Sequence, residues 1–331
     1  MQDNEPKQQF LFCLFSQINK FLSSAMSLSR SLQPTKANYI SMFVRSQLLT
    51  TLPSTPAGTD LSGRTAIVTG GSSGLGLEAG RQMLALGLSR LILAVRSPDR
   101  GQAAGYLLQK TYPRARVEVW PLEMESYESI QNFAERCSRE LDDRLDIAIL
   151  NAGVAELEFK AVESTGHEKT MQVNYHGTML LSLLLLPILG SRSGGPRRTP
   201  GRLTVVNSAM SSFAAFPNRH ERPLLASFDD PNLKYDGSER YNVSKLLGQI
   251  FLDRLAKEVA SKHVVINMVE PGLTKGTNLF RNARGVARLF LGLVSVAGRP
   301  TEVGALTYID AAVVKGTNSH GSWIADYKIA P

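Results

Sequence analysis

After about residue 62, segments with the hydrophobic pattern of buried strands alternate with segments that have the apolar spacing of helices. Short apolar runs rich in β-branched residues, typical of buried strands, occur at Thr65–Thr69, Leu91–Val95, Val117–Trp120, Ile147–Leu150, Leu203–Val206 and Val264–Val269. Segments with apolar residues at helical spacing separate these runs. Alternating strands and helices require right-handed crossovers, so we predict an α/β fold with a doubly wound parallel sheet, a Rossmann fold, in a single domain.

The same pattern sets the expected domain limits. A helix at Glu302–Val313 and a strand near Ser322–Ala325 close a domain that we assign to residues 62–331. Residues 1–61 are rich in Ser, Gln, Thr and Pro, which predicts a partly disordered N-terminal extension with a short helix from Ala37 to Leu49 leaning on the main domain. The apolar run Thr178–Leu189 is shorter than the ~20 residues of a membrane span. We predict a buried helix there and no transmembrane segment.

A glycine-rich turn follows the first predicted strand. The turn has the spacing T-G-x-x-x-G-x-G, and its candidate cofactor-binding residues are Gly70, Ser72, Ser73, Gly74, Leu75 and Gly76. Glycine lets backbone N–H groups approach an anion, and the N-terminus of the following helix adds a positive end. A glycine-rich hairpin is the alternative, but the strand before the turn and the apolar helix after it favour a phosphate cradle.

The end of the second strand bears on which dinucleotide binds. An acidic residue at this point contacts the ribose 2′-hydroxyl of NAD, whereas an arginine suits the 2′-phosphate of NADP. The sequence here is Ala94-Val95-Arg96-Ser97, which has no carboxylate. We therefore favour NADP(H), with Arg96 on the phosphate.

A tyrosine and a lysine are spaced for one helix face farther along the chain. Tyr241 and Lys245 are four residues apart at the start of a helix predicted to run to about Ser261. A phenol titrates near pH 10, and a neighbouring ammonium group lowers that pKa. The pair could therefore act as an acid and base, although Y-x-x-x-K alone is a weak signal.

Taken together, these motifs resemble those of the classical short-chain dehydrogenases/reductases, and within them the retinol-dehydrogenase-type enzymes of fungi. The motifs occur in the family's order and cover roughly residues 60–326: Thr69–Gly76, Asn151-Ala152-Gly153, Asn174, Ser208, Tyr241-x-x-x-Lys245 and Pro271-Gly272. The resemblance implies an NADP(H)-dependent oxidoreductase that interconverts a carbonyl and an alcohol on a lipophilic small molecule, in a setting such as secondary metabolism.

The resemblance also implies the catalytic roles. Tyr241 would be the general acid/base, and Lys245 would lower its pKa and hold the nicotinamide ribose. Ser208 would hydrogen-bond the substrate oxygen; the family's Ser-Ser pair is Asn207-Ser208 here. Asn174 would anchor a water relay to the lysine.

Further cofactor contacts follow from the same resemblance. Residues Asn151, Ala152 and Gly153 would abut the cofactor ribose, and Pro271 and Gly272 would border the nicotinamide. Two departures stand out: Glu123 replaces the family's usual aspartate near the adenine, and the segment after Pro271 is one residue longer than usual. Either Thr274 or Thr277 would then touch the nicotinamide amide.

Two segments could bind the substrate. The stretch between Ser208 and Tyr241 could wall a lipophilic pocket or could pack only on itself, and its apolar and aromatic residues are Phe213, Phe216, Pro217, Pro223, Phe228 and Tyr235. The segment Asn278–Ala297 is placed like the family's substrate lid, although its helical apolar spacing also suits contact with a membrane surface or a second subunit.

Composition and charge narrow the classes of protein to which the chain could belong. With 331 residues, 43% hydrophobic and 20% charged, the chain is an ordinary globular protein. Its formal charge of +8 comes from scattered Lys and Arg, so an anionic cofactor explains it better than nucleic acid does. The two cysteines, Cys13 and Cys137, suggest no disulfide framework, and no metal site is expected. We expect a cytoplasmic protein, and a homo-oligomer is possible.

Two other functional classes remain open from the sequence. The chain could be a catalytically silent NADP-binding regulator, although the intact Ser208, Tyr241 and Lys245 argue against that. It could also be a peripheral membrane protein that binds through Gln9–Phe21 and Asn278–Ala297.

Overall fold

A computed structural model describes residues 27–33, 38–141, 145–190, 199–277, 279 and 298–331. The described residues form one eight-stranded sheet in the order β3-β2-β1-β4-β5-β6-β7-β8. The strands are β1 Thr65–Thr69, β2 Arg90–Val95, β3 Arg116–Pro121, β4 Ile147–Leu150, β5 Gly201–Val206, β6 Val264–Glu270, β7 Trp323–Ala325 and β8 Lys328–Ala330. All neighbouring pairs are parallel except β7 and β8, so the predicted doubly wound parallel sheet is confirmed.

Helices connect the parallel strands. The α-helices are α1 Leu28–Ser31, α2 Tyr39–Val44, α3 Gly74–Ala85, α4 Pro98–Thr111, α5 Tyr127–Glu140, α6 Lys169–Met171, α7 Thr178–Gly190, α8 Gly237–Glu258 and α9 Thr301–Ile309. Three π-helical turns continue α2, α6 and α9, at Arg45–Leu49, Gln172–Gly177 and Asp310–Val314. Short 3₁₀ turns lie at Ala209–Phe213, Leu225–Phe228 and Thr317–Ser319.

Successive residues of β1 show how the sheet is buried on both faces. Ile67 packs in a core with α5, α7 and α8, whereas Ala66 and Val68 pack in a second core with α3, α4 and α9. Side chains alternate between faces along a strand, so each face carries its own layer of helices. Every residue of β1 is buried, as expected of a central strand in a parallel sheet.

The strand order reverses direction at β1. The chain moves outward from β1 to β2 and β3, then returns to place β4 on the other side of β1. Loops at the carboxyl ends of β1 and β4 therefore diverge to opposite sides and leave a crevice between them. Such a crevice is where open α/β sheets bind ligands.

The apolar helix predicted at Thr178–Leu189 lies in the core. Among the described residues, one helical run, Lys169–Gly190, has the length and apolar composition of a membrane span, and 72% of its most apolar window is buried inside the fold. The helix packs against α5 and the sheet. Burial by protein accounts for its composition, as for other core helices.

The structure differs from the sequence prediction in two elements, the helix that carries Tyr241 and the last part of the sheet. The helix carrying Tyr241 begins at Gly237 and ends at Glu258, because the Asp236 side chain caps it by accepting hydrogen bonds from Ser238 N and Glu239 N. Tyr241 thus lies one turn inside the helix. The final strand near Ser322–Ala325 is followed by β8, which the sequence pattern did not indicate because it is only three residues long.

Candidate active site

A cavity of about 1360 Å³ runs across the carboxyl ends of the strands. Its walls come from the loops after β1 to β6, from the N-terminal segment around α2, and from the β7–β8 hairpin. Pockets for a single ligand usually measure roughly 300–1,000 Å³. The larger volume leaves room for a dinucleotide and a second small molecule together.

The glycine turn after β1 forms one end of the cavity. Ser72, Ser73 and Gly74 line it directly before α3. Gly74 has φ +55°, a conformation that side-chain-bearing residues rarely adopt. The turn therefore brings backbone and the positive end of a helix against open space, which fits a pyrophosphate.

Gly76 has a packing role beneath this turn. It does not line the cavity, and a Cβ there would lie 2.6 Å from Asn151 Nδ2 and 2.8 Å from the Gly70 carbonyl oxygen. Gly76 thus permits the turn to fold closely on β4. The cofactor contact predicted for Gly76 stays a prediction.

Asn151 ties the end of β4 to the glycine turn. Its Nδ2 donates to Thr69 O at 2.9 Å, and its Oδ1 accepts from the Tyr308 hydroxyl at 2.9 Å. Ala152 N donates to Thr69 Oγ1 at 2.9 Å. Both ends of the amide are thereby held, and Asn151, Ala152 and Gly153 form the cavity floor beside the turn.

Charged residues line the cavity beyond β2 and β3. Arg96 lies there with Ser97 and Arg100, at the N-terminus of α4. Arg96 also pairs with two acidic residues that line the same wall, at 3.8 Å from Glu123 and 3.3 Å from Glu125. Arg100 was not among the predicted residues, although its position four residues after Arg96 is the signal that could have identified it.

Ser208, Tyr241 and Lys245 meet near the middle of the cavity. Ser208 follows β5 and lines the cavity with Tyr241, and its side chain acts on the phenol by lowering the pKa of Tyr241. Lys245 Nζ lies 5.7 Å from the Tyr241 ring centroid and donates to Val206 O at 3.0 Å. The helix spacing and the end of β5 therefore bring all three predicted groups together.

Burial is the main cause of the pKa shifts of Tyr241 and Lys245. It raises the pKa of Tyr241 to about 12, with Glu270 acting in the same direction and the Ser208 hydrogen bond opposing it. Burial also lowers the pKa of Lys245 to about 8. Desolvation of the phenol therefore sets the direction of the Tyr241 pKa shift, and Lys245, which was expected to lower that pKa, is not among the groups that shift it.

Asn174 lies behind the cavity wall. It belongs to the π-helical turn Gln172–Gly177 and is 4% exposed. Its side chain accepts from Val154 N and donates to Val154 O, each at 2.9 Å, and it also donates to Ser244 Oγ at 3.0 Å. The amide therefore fixes the β4 loop to the tyrosine helix, and any relay from Asn174 would use its main chain.

The loop after β6 also lines the cavity. Pro271, Gly272, Thr274 and Thr277 all line the cavity. The Thr274 hydroxyl donates to Gly272 O at 3.2 Å, whereas the Thr277 Cα lies 3.8 Å from the Cβ position of Gly74. Of the two threonines, Thr277 is therefore the one packed against the phosphate cradle.

Glu270 is a cavity residue that sequence reasoning missed. It ends β6, is 9% exposed, and accepts from Gly272 N at 2.9 Å. Burial raises its pKa to about 7, with Asp326 adding to the rise and Arg299 opposing it. A charged residue ending the apolar run before Pro271 was the available signal.

The two predicted substrate segments have different outcomes. Only Phe213 of the aromatic residues between Ser208 and Tyr241 lines the cavity. Phe216 and Phe228 stack at 6.3 Å, and Tyr235 hydrogen-bonds Glu168. That stretch therefore packs mostly against α6 and α8 rather than lining the cavity, and the predicted lid at 278–297 lies outside the described residues apart from Leu279.

The described residues contain no group of His, Cys, Asp and Glu arranged to hold a metal ion. Cys137 is buried in the core, where burial raises the pKa of its thiol well above the usual range. The thiol is therefore not part of the site.

Comparison with known proteins gives relatives along most of the chain. A short chain dehydrogenase family model matches residues 64–216. The short chain dehydrogenase/reductase mfmJ of Annulohypoxylon moriforme is 46% identical over 308 residues, covering 92% of this chain and 88% of that protein. The short chain dehydrogenase opdN of Penicillium oxalicum is 43% identical over 298 residues, covering 87% and 94%.

Solved structures have the same fold. A Pseudomonas aeruginosa RhlG/NADP active-site complex is 25% identical with a TM-score of 0.59, covering 80% of this chain and 95% of that one. L-sorbose reductase from Gluconobacter frateurii, solved with NADPH and L-sorbose, is 22% identical with a TM-score of 0.60 and the same coverage. With these relatives and this sheet, the chain belongs to the short-chain dehydrogenase/reductase family of oxidoreductases.

Proposed function

We propose that the protein is an NADP(H)-dependent oxidoreductase that interconverts a carbonyl and an alcohol on a lipophilic small molecule. The observation that carries this proposal is the convergence of Ser208, Tyr241 and Lys245 in one cavity with the glycine turn. When bound, NADP(H) supplies or accepts the hydride. The residues of the chain then have to orient the substrate oxygen and move its proton.

Tyr241 is proposed as the proton donor. Its phenol and the Ser208 side chain line the same part of the cavity, so a carbonyl oxygen placed between them could receive the Tyr241 proton while Ser208 donates a second hydrogen bond. A positioned general acid typically contributes ~10²–10⁴-fold to the rate. Lys245 stands beside the pair and holds a positive charge near the phenol.

The titration of Tyr241 favours the reductive direction in the protein alone. A pKa of about 12 keeps the phenol protonated at neutral pH, which is the form needed to protonate a carbonyl oxygen. Oxidation of an alcohol would need the phenolate, which burial disfavours. At neutral pH the protein alone therefore holds Tyr241 in the form that carbonyl reduction requires.

NADP(H) is proposed over NAD(H) from the wall beyond β2. Arg96, Ser97 and Arg100 line this part of the cavity at the start of α4. Two guanidinium groups and a helix N-terminus suit a 2′-phosphate better than a neutral hydroxyl. The similar RhlG structure contains NADP, in agreement with this choice.

A lipophilic substrate is supported by the residues around the catalytic group. On the side of the cavity away from Arg96, the apolar residues are Met42, Phe43, Met210, Phe213, Leu273, Trp323 and Ile329. Apolar walls with a few polar groups are typical of small-molecule pockets. The relatives mfmJ and opdN are fungal short chain dehydrogenases, and the role in secondary metabolism expected from the sequence resemblance is part of the proposal.

Replacement of Tyr241 by phenylalanine tests the proposal. With NADPH and a panel of ketones and aldehydes, we expect Tyr241→Phe to lose at least ~10²-fold in kcat, because the proton donor is removed. The dissociation constant for NADPH, measured by fluorescence titration, should change by less than about threefold, since the glycine turn and Arg96 are untouched.

Tyr106→Phe is a matched control. Tyr106 is 69% exposed and lies outside the cavity, so its removal should leave kcat unchanged. Near-normal turnover in Tyr241→Phe would overturn the mechanism. A wild-type protein that binds NADPH but reduces no carbonyl would instead support a silent NADP-binding regulator.

A further inference from the structure

The N-terminal segment forms part of the cavity although it lies outside the residues that the family model matches, 64–216. Its cavity-lining residues are Ser41, Met42, Phe43, Arg45, Ser46, Gln47 and Thr50. All of them except Thr50, which directly follows, belong to α2 and the π-helical turn that continues it. The extension therefore contributes to the site as well as leaning on the domain.

Gln47 fixes the segment to the loop after β6. With its amide oriented to satisfy both atoms, Gln47 donates to Leu273 O and accepts from Leu273 N, each at 3.1 Å. Gly272, with φ +75°, makes this approach possible, since a Cβ there would lie 2.5 Å from the Gln47 amide. The segment thus packs directly on the loop that borders Tyr241 and Glu270.

Arg299 forms a second attachment. This buried guanidinium donates to Ser46 O and to Asp326 Oδ1, each at 2.5 Å, and to Pro271 O at 3.3 Å. Ser46 Oγ also donates to Asp326 Oδ1 at 3.1 Å. One arginine therefore joins the N-terminal segment, the β6 loop and the β7–β8 turn.

The strand order shows which end of the cavity this segment covers. The attachments are to residues after β6 and β7, whereas Arg96 and the glycine turn follow β2 and β1. Neighbouring strands are ≈ 4.8 Å apart, so β1 and β6 are separated by roughly 14 Å. The segment therefore lies on the side of Ser208 and Tyr241, away from the proposed 2′-phosphate site.

One helical face is turned to the cavity. Met42, Phe43, Ser46 and Gln47 are partly buried, whereas Leu48 is 65% exposed and does not line the cavity. Met42 and Phe43 are the apolar side chains of that face. Methionine and aromatic side chains adapt to apolar ligands.

We infer that the segment Ser41–Thr50 is a fixed wall of the substrate chamber and that Met42 and Phe43 determine which carbonyl compounds the enzyme prefers. This inference rests on the proposed reductase function and assigns a specificity role to residues outside the family match. The ligand part that contacts the wall is apolar, the alkyl or aryl portion of the substrate.

Full-length variants test the inference. Met42→Ala and Phe43→Ala are compared with Leu48→Ala, which removes an exposed side chain from the same segment. Each is assayed with NADPH against acetone and undecanone. Loss of apolar contact is worth roughly 10–200-fold in discrimination per small group. We expect the ratio of kcat/KM for undecanone over acetone to fall at least ~10-fold in the first two variants and to stay within about twofold in Leu48→Ala.

A second readout separates this inference from the proposed function. Trp323 lines the cavity, whereas Trp120, the other tryptophan, is 1% exposed in the core. Quenching of tryptophan fluorescence by undecanone reports binding without turnover, and Trp323→Phe identifies the signal. Weaker undecanone binding in Met42→Ala and Phe43→Ala, with NADPH affinity unchanged, supports the wall even if no ketone is reduced. Unchanged discrimination and unchanged undecanone binding in both variants would overturn it.

Discussion

At the scale of single residues, the proposed preference for NADP(H) depends on two arginines in unequal settings. Arg96 forms ion pairs with Glu123 and Glu125, so part of its charge is already neutralised by these carboxylates. Arg100 lies beside it in the first turn of α4. A 2′-phosphate would therefore draw on both side chains, and neither arginine alone should account for the whole preference.

We predict that Arg96→Ala and Arg100→Ala each reduce the preference for NADPH over NADH by about tenfold or more. A hydrogen bond to a charged group contributes about 1.5–3 kcal/mol, and NADH lacks the phosphate that makes this bond. Dissociation constants for both nucleotides give the ratio. Arg114→Ala is the control, because Arg114 is exposed and outside the cavity. An unchanged ratio in both test variants would contradict the NADP(H) proposal.

Glu270 should make stability depend on pH. Burial raises its pKa from 4.5 to about 7, so the folded state holds a proton that the unfolded state has already lost between these values. Stability should therefore fall as pH rises from about 4.5 to about 7, by roughly 3 kcal/mol at most. Asp326 strengthens this effect, and Arg299 and the Gly272 amide weaken it.

Glu270→Gln should remove this part of the slope. The amide keeps the shape and cannot ionise, so urea unfolding at several pH values should show a variant that loses less stability than wild type between pH 5 and pH 7. Other groups titrate in both proteins alike and cancel in the difference. Parallel curves for the two proteins would mean that Glu270 is ionised throughout.

At the scale of elements, the glycines of two helices make a matched pair. In α3, a Cβ on Gly76 would meet the backbone oxygen of Gly70 at 2.8 Å, whereas in α8 a Cβ on Gly248 would meet only the Met179 methyl at 3.6 Å. The first contact requires the cradle to move, and the second is ordinary packing.

We predict opposite effects of alanine at these two sites. Gly76→Ala should lose about 1–3 kcal/mol of unfolding free energy, through overpacking, and should weaken NADPH binding because the turn is displaced. Gly248→Ala should be neutral or gain up to about 1 kcal/mol from helix propensity. Urea unfolding and NADPH titration measure both effects. Equal stability of the two variants would refute the tight packing of the turn on β4.

The sequence predicted the elements whose physics is local. The six runs from Thr65–Thr69 to Val264–Val269 are strands because buried parallel strands need continuous apolar residues. The Tyr241–Lys245 spacing likewise puts both side chains on one helix face. The strand order, the reversal at β1 and the attachment of Ser46 to Arg299 depend on contacts between distant residues, which periodicity does not encode.

The residues of the site show the same difference between what local sequence predicts and what distant contacts decide. Most predicted residues line the cavity, since motifs specify loops at strand ends, whereas Gly76 and Asn174 support it from behind. Met42 lies in no family motif and is brought to the cavity by tertiary packing alone, whereas Glu270 directly precedes the Pro271-Gly272 motif and is marked only by its charge at the end of an apolar run. Residues that vary between relatives of one fold are the ones for which a motif carries no information.

At the scale of the whole molecule, the cavity spans the sheet from the loop after β2 to the β7–β8 hairpin, and its walls include N-terminal, central and C-terminal segments. A ligand that fills it therefore bridges parts of the chain far apart in sequence. Such binding to the native state alone stabilises the whole fold by an amount fixed by ligand concentration and affinity.

We predict that NADPH raises the melting temperature of the full-length protein in a single transition. At a concentration one hundred times its dissociation constant, it adds about 2.7 kcal/mol, which corresponds to a rise of several degrees for a domain of this size. NADH at the same concentration should raise it less, because the contacts of Arg96 and Arg100 to a 2′-phosphate are missing. Scanning calorimetry with each nucleotide measures the difference. Equal shifts would argue for a protein that does not distinguish the two cofactors, and no shift with either would argue that the glycine turn does not hold a dinucleotide.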